Sequence, residues 1–142
     1  MTLFLDANVV FSAAHREESR AQDLVALARG GRCKLLTSAY ALEEARRNLE
    51  LKSSGFEQRL ADALARTKVI AEAPAALVDW AREQGLALKD APILAAAEHA
   101  KADLLVTGDA RDFGPLYDRT LRGVQVVTLA RALDLVLKDV GV

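Results

Sequence analysis

The sequence predicts an α/β fold built on a mostly parallel sheet. Three observations lead there. Five short segments are apolar at consecutive positions, the pattern of strands covered on both faces. Stretches with helical spacing lie between them. The two kinds of segment alternate along the chain rather than forming blocks, as crossover units require.

The first strand is "TLFLD" (2–6). Arg16 and Arg20 lie in a loop after the first motif, "FLDANVVFSAA", and Ser19 can cap a helix running to about Arg29, with Gly30 and Gly31 as its stop. "CKLLT" (33–37) is the second strand, and Ser38 can cap the next helix through Leu51. After Gly55, "FEQRLADALART" reads as a helix, "KVIAE" (68–72) as the third strand, and "AALVDWAREQG" as a helix ending at Gly85. Trp80 stands at helical spacing from Leu77 and reads as a core anchor. Asp90 can cap "APILAAAEHAKA", where Pro92 falls in the tolerant first turn. "DLLVTGD" (103–109) is the fourth strand and "VQVVTL" (124–129) the fifth. Thr128 can cap a last helix, "LARALDLVLKDV". No linker, repeat or low-complexity stretch interrupts residues 1–142, so one domain is expected.

Composition narrows the function. Half of the 142 residues are hydrophobic, which excludes a disordered chain. A net charge of −1 excludes holding nucleic acid by bulk charge, although an acidic pocket can offset basic residues elsewhere. Cys33 is the only cysteine, so no disulfide forms within the chain, which fits a reducing compartment. The start, "MTLFLDANVV", lacks a basic segment and its apolar run is broken by Asp6, unlike a signal peptide. No apolar stretch is long enough for a membrane span, and a cytoplasmic location is expected. His15 and His99 stand alone and read as surface residues.

The acids are the informative feature. In an open α/β sheet ligands bind outside the carboxyl ends of the strands. Asp6 closes the first strand, Asp109 closes the fourth, and Asp112 lies one turn beyond. Asp90 opens the helix before the fourth strand, and Glu43 and Glu44 lie early in the helix after the second. Ala41, Leu42, Ala45 and Leu49 form the apolar stripe of that helix, which puts Glu44 nearer the interior than Glu43. Asp90 also reads as a simple helix cap and Asp112 as a turn residue. Asp6 and Asp109 are harder to explain, since each adjoins an apolar run where an unpaired carboxylate is costly. Gathering Asp6, Glu44, Asp90 and Asp109 without compensation would raise their pKa values, and no lysine or histidine is obviously placed to neutralise all four. A divalent ion would. Oxygen-only ligands suit Mg²⁺ or Mn²⁺ rather than zinc, and such a site suits phosphodiester hydrolysis.

"FLDANVVFSAA", "LTSAYALEEARRNL", "KDAPILAAAEHAKADLLVTGD" and the following "DF" resemble the successive signatures of PIN-domain ribonucleases, a group that includes VapC-type toxins of bacterial toxin–antitoxin pairs. The resemblance runs from Leu3 to about Phe113. It implies a three-layer α/β/α domain whose five-stranded parallel sheet has the order 3-2-1-4-5, and Mg²⁺- or Mn²⁺-dependent cleavage of RNA. It places the family's core acids on Asp6, Glu44, Asp90 and Asp109 and an additional acid on Asp112, with Asn8 and Thr107 at the polar positions that orient the acids or a water. The doublet Glu43–Glu44 leaves a one-residue ambiguity. On this reading Asp6, Asp90 and Asp109 bind the principal ion, while Glu44 and Asp112 help hold a second or orient the attacking water. In-line attack would leave a 5′-phosphate and a 3′-hydroxyl. Arg16, Arg46 and Arg111 are candidate RNA contacts, with Arg20, Arg47 and Lys52 nearby. A toxin of this kind would meet a small antitoxin, inserting a helix or an arginine into the acidic pocket, and would form a homodimer.

Two other readings are weighed. A receiver-type phospho-acceptor domain shares the α/β fold and clustered aspartates. It needs two adjacent acids after the first strand and a lysine after the fifth; here "LDANV" has one acid and "VQVVTL" has no well-placed lysine after it. A non-catalytic RNA-binding module of the same fold is disfavoured by the intact acid set.

Overall fold

The apolar segments pair side by side in one sheet, and the order of pairing fixes where each strand's end emerges. The computed structural model describes residues 1–139. β1 (Thr2–Leu5) lies centrally, parallel to β2 (Lys34–Ser38) on one side and to β4 (Leu104–Val106) on the other. β3 (Thr67–Ile70) pairs with β2, and β6 (Val124–Val127) pairs with β4, again in parallel. These five strands have the order expected from the sequence. A sixth, β5 (Thr120–Leu121), adds an antiparallel edge to β6. The tight turn between them uses Arg122 and Gly123, both at positive φ, the conformation that a two-residue hairpin demands.

The helices follow from caps and apolar stripes. α1 (Ala7–His15), α2 (Arg20–Arg29), α3 (Ala39–Lys52) and α4 (Glu57–Leu64) connect the strands on one side of β1. α5 (Ala75–Glu83) and α6 (Ala91–His99) return the chain to β4 on the other side. Right-handed crossovers in opposite directions along the sheet put these two groups on opposite faces. α1 accordingly packs on α2, α3 and α4, while α5 packs on α6. A short α7 (Ala110–Phe113) and α8 (Leu129–Asp139) complete the chain, with α8 against α2. Ser19, Ser38 and Thr128 cap α2, α3 and α8 as expected, each hydroxyl accepting a backbone N–H at 3.1–3.2 Å.

Three expectations need correction. The link after the first motif holds Arg16 but not Arg20, which opens α2; the helix α1 that precedes this link was not among the expected elements. The third strand is not covered on both faces: Lys68 and Val69 are exposed, as befits an edge. His15 is not a free surface residue, because its ring stacks on Phe11 with centroids 4.8 Å apart.

Burial is complete along much of β1, β4 and α6. Leu3, Phe4, Leu105, Val106 and Val126 are fully buried. Ala91, Ala95, Ala96 and Ala97 on α6 are also fully buried, so small side chains bring this helix close to its neighbours. No helix among the described residues is long and apolar enough to cross a membrane. Leu105 lies opposite Phe4 on one side and Val126 on the other. Leu105→Ala should therefore cost about 3 kcal/mol of stability, through lost burial plus an unfilled cavity. Urea denaturation should show a lower midpoint with an unchanged slope.

Candidate metal centre

The site forms where β1 and β4 end next to each other. Asp6 is the first residue past β1, and its N–H donates to the carbonyl of Val106, the last residue of β4. The chain turns there from strand to helix, and Asp6 becomes the N-cap of α1 by accepting the Ala7 N–H on Oδ1 at 2.7 Å. Its other oxygen, Oδ2, accepts from the Thr107 hydroxyl at 2.8 Å and from the Asn8 amide at 3.2 Å. Thr107 Oγ1 in turn accepts the Asp109 N–H at 3.1 Å, and Asn8 Oδ1 accepts the Gly108 N–H at 2.7 Å. The two polar residues thus tie the end of β1 to the end of β4. A Cβ at Gly108 would come within 3.3 Å of Asn8 Oδ1, so a side chain there would press on this tie. Tyr117, which the sequence did not single out, donates its hydroxyl to the Thr107 carbonyl at 2.9 Å.

The other acids arrive from separate elements. Asp90 stands at the start of α6, yet its side chain makes no capping bond; it turns toward the cleft. The simple cap reading of Asp90 is therefore set aside. Asp109 caps α7 by accepting the Asp112 N–H at 3.1 Å. Asp90, Asp109 and Asp112 each offer a carboxylate oxygen within 4.8 Å of the others. Asp6, Glu44, Asp90 and Asp109 line one cleft of about 240 Å³, together with Asn8, Phe11, Asn48, Lys52 and Lys89. Glu43 is not among the lining residues, whereas Glu44, Asn48 and Lys52 form one i, i+4 stripe of α3 along the wall. Arg16, Arg46 and Arg111 are exposed and do not line the cleft.

The residue that sequence reasoning missed is Lys89. Its ammonium donates to Asp112 Oδ2 at 2.7 Å and lies 3.2 Å from both oxygens of Asp90. The hydrogen bond goes to Oδ1; Asp90 Oδ2 is buried with ionic contact but no hydrogen-bond partner. The only sequence signal was its position one residue before an acid.

Electrostatics differ among the acids. Burial pushes the Asp6 carboxyl up to about 6, against the lowering effect of the Thr107 and Ala7 hydrogen bonds, with repulsion from Glu44 and Asp90 adding to the rise. Burial also raises Asp90, while Lys89 opposes it. The hydrogen bond from Lys89 holds Asp112 below the usual carboxylate range. All-oxygen donors, three carboxylates in close register and a buried acceptor lacking a hydrogen on Asp90 fit a hard divalent ion such as Mg²⁺ or Mn²⁺.

Comparisons with known proteins bear on the family and the fold. A family model described as PIN domain matches residues 2–111. Among solved structures, PAE2754 from Pyrobaculum aerophilum is 19% identical with a TM-score of 0.66, covering 97% of this chain and 99% of that one. VapBC2 from Rickettsia felis, solved bound to a DNA fragment from its promoter, is 20% identical with a TM-score of 0.64, covering 90% of this chain and 98% of that one. VapC20 from Mycobacterium tuberculosis, a toxin that cleaves the sarcin–ricin loop, is 16% identical with a TM-score of 0.56, covering 80% of this chain and 94% of that one. No curated protein matches by sequence.

Asp6 carries a pH signature. Its folded pKa of about 6 exceeds the unfolded value, so the fold favours the protonated form. Its contribution is fully present below about pH 4 and is lost as pH rises through 6, a change of about 3 kcal/mol. Asp112 acts with the opposite sign, but only at lower pH. In EDTA, urea midpoints of the wild type should fall between pH 4 and 6.5, and those of Asp6→Asn should fall distinctly less.

Proposed function

The chain belongs to the PIN-domain family, and from that premise we propose that it is a divalent-metal-dependent endoribonuclease, the toxin of a type II toxin–antitoxin pair. The observation that carries this reading is the convergence of Asp6, Glu44, Asp90 and Asp109, from four distant segments, on one cleft. Nothing in ordinary folding requires four acids to share a rim, and their mutual repulsion opposes it. The shared PIN family replaces the receiver-type alternative.

Asp6, Asp90 and Asp109 would hold the principal ion, with Asp112 and Glu44 beside it. When bound, a divalent ion supplies charge neutralisation at the phosphate and a more acidic water. The protein's own groups do the rest. Thr107 fixes two acids at once, donating to Asp6 and accepting from the Asp109 N–H. Asn8 braces Asp6 from the other side. Glu44, exposed on the cleft wall, would orient the attacking water and take its proton. Lys52, two turns further along the same face of α3, offers a charge for an RNA phosphate. Arg16, Arg46 and Arg111, exposed outside the cleft, stay candidate contacts for the flanking RNA.

An antitoxin partner is supported by the VapBC2 neighbour and by FitAB from another solved complex on a DNA fragment. The partner would place a cation against the acids, since charge complementarity is what the cleft offers. Homodimerisation and a cytoplasmic location complete the proposal.

The test is cleavage of structured RNAs, a sarcin–ricin-loop hairpin among them, by the purified chain in Mn²⁺. Products with 5′-phosphates are expected, and EDTA or Asp6→Asn should lower the rate about 10²-fold or more. Cleavage that survives both would refute the metal mechanism. Thr107→Val should reduce metal affinity about 10- to 100-fold while leaving the fold intact, as read by Mn²⁺ titration and circular dichroism.

A further inference from the structure

Lys89 has no part in the scheme above, yet it sits between two of the acids that would hold the ion. One ammonium bridges Asp90 and Asp112 at 3.2 and 2.7 Å. Those two carboxylates, with Asp109, are the three brought within 4.8 Å of one another. The lysine is presented to them by the backbone. Its carbonyl accepts the Tyr40 hydroxyl from α3 at 2.7 Å, and the Asp90 N–H closes the turn on Ala87 at 3.0 Å. Its side chain is 64% exposed, whereas those of Asp90 and Asp112 are 11% and 27% exposed. The acids are thus the more enclosed partners, and the cation reaches them from the solvent side.

We propose that Lys89 is a tethered competitor for the metal. Ammonium and divalent ion share the carboxylates of Asp90 and Asp112, and loading of the ion releases the lysine. The competition has a simple physical source. The ammonium hydrogens occupy the acceptor lone pairs that an ion would use, and two cations at such short range repel strongly. The lysine keeps neighbouring acids compatible without an ion, and it raises the ion concentration needed to fill the site. This inference rests on the metal reading above and adds to it a residue that sets the loading threshold.

The experiment titrates Mn²⁺ calorimetrically into the full chain, stripped with EDTA and dialysed, as wild type, Lys89→Met and Lys89→Arg. Lys89→Met should bind Mn²⁺ about fivefold more tightly or better, and Lys89→Arg, which keeps the positive charge, should show no such gain. Equal or weaker binding by Lys89→Met overturns the proposal and makes Lys89 a plain structural ion pair. A second measurement needs no variant: acylation of Lys89 in the wild type by an N-hydroxysuccinimide ester, followed by peptide mass. Mg²⁺ should speed labelling of Lys89 relative to the exposed Lys68, and an unchanged ratio overturns the proposal. Mn²⁺ binding by none of the three proteins overturns the metal reading itself, and this inference with it, which separates the two failures.

Discussion

Repulsion between carboxylates at the shared end of β1 and β4 is the constraint around which the rest of the molecule is arranged. A parallel sheet delivers all its strand ends to one rim, and neighbouring strands deliver theirs a few ångströms apart. Asp6 and the Thr107–Asp109 segment meet because β1 and β4 are adjacent. α3 and α6 start at the same rim, which brings Glu44 and Asp90 into reach. The closeness that makes a hard-cation site possible is thus a property of strand order, and the energetic difficulty is part of the same geometry.

Each acid meets that difficulty in its own way. Asp6 is surrounded by donors and still carries a raised pKa, so hydrogen bonds offset only part of the cost of its burial. Asp112 stays near solvent and takes the lysine's charge. Asp109 shares its negative charge with the start of a short helix. Glu44 remains exposed. Asp90 shares the same lysine and keeps one buried oxygen without a hydrogen bond. That graded set includes a carboxylate cluster, Asp90, Asp109 and Asp112, that could bind a metal ion.

Much of this was legible in the chain, for reasons that differ by element. The parallel strands are short apolar runs, and Ser19, Ser38 and Thr128 mark the starts of three of the helices between and after them. β3 was placed correctly but its exposure was not, because Val69 and Ile70 look the same in an edge strand as in a central one. α1 was missed since "ANVVFSAAH" is apolar all along and rich in β-branched residues near its start, which hides helical periodicity. β5 has two residues, too few to show any period. At the site, Asp6 and Asp109 stood out because a carboxylate beside apolar runs demands an explanation. Lys89 did not, because an isolated lysine is usually a solvated one and its partner Asp112 is 23 positions away. The arginines Arg16, Arg46 and Arg111 lie outside the cleft, since proximity along the chain does not fix which way a side chain points.

Asp6 serves two masters. It starts α1 as its cap, and it lies at the heart of the acidic cleft. Any lineage that abandoned the chemistry would still be selected to keep a short side chain with a hydrogen-bond acceptor at this codon, simply to begin a helix. Asparagine would meet that demand and aspartate would meet both. The evolutionary trace of lost activity in such a protein would therefore be a single-atom exchange at this position rather than wholesale drift.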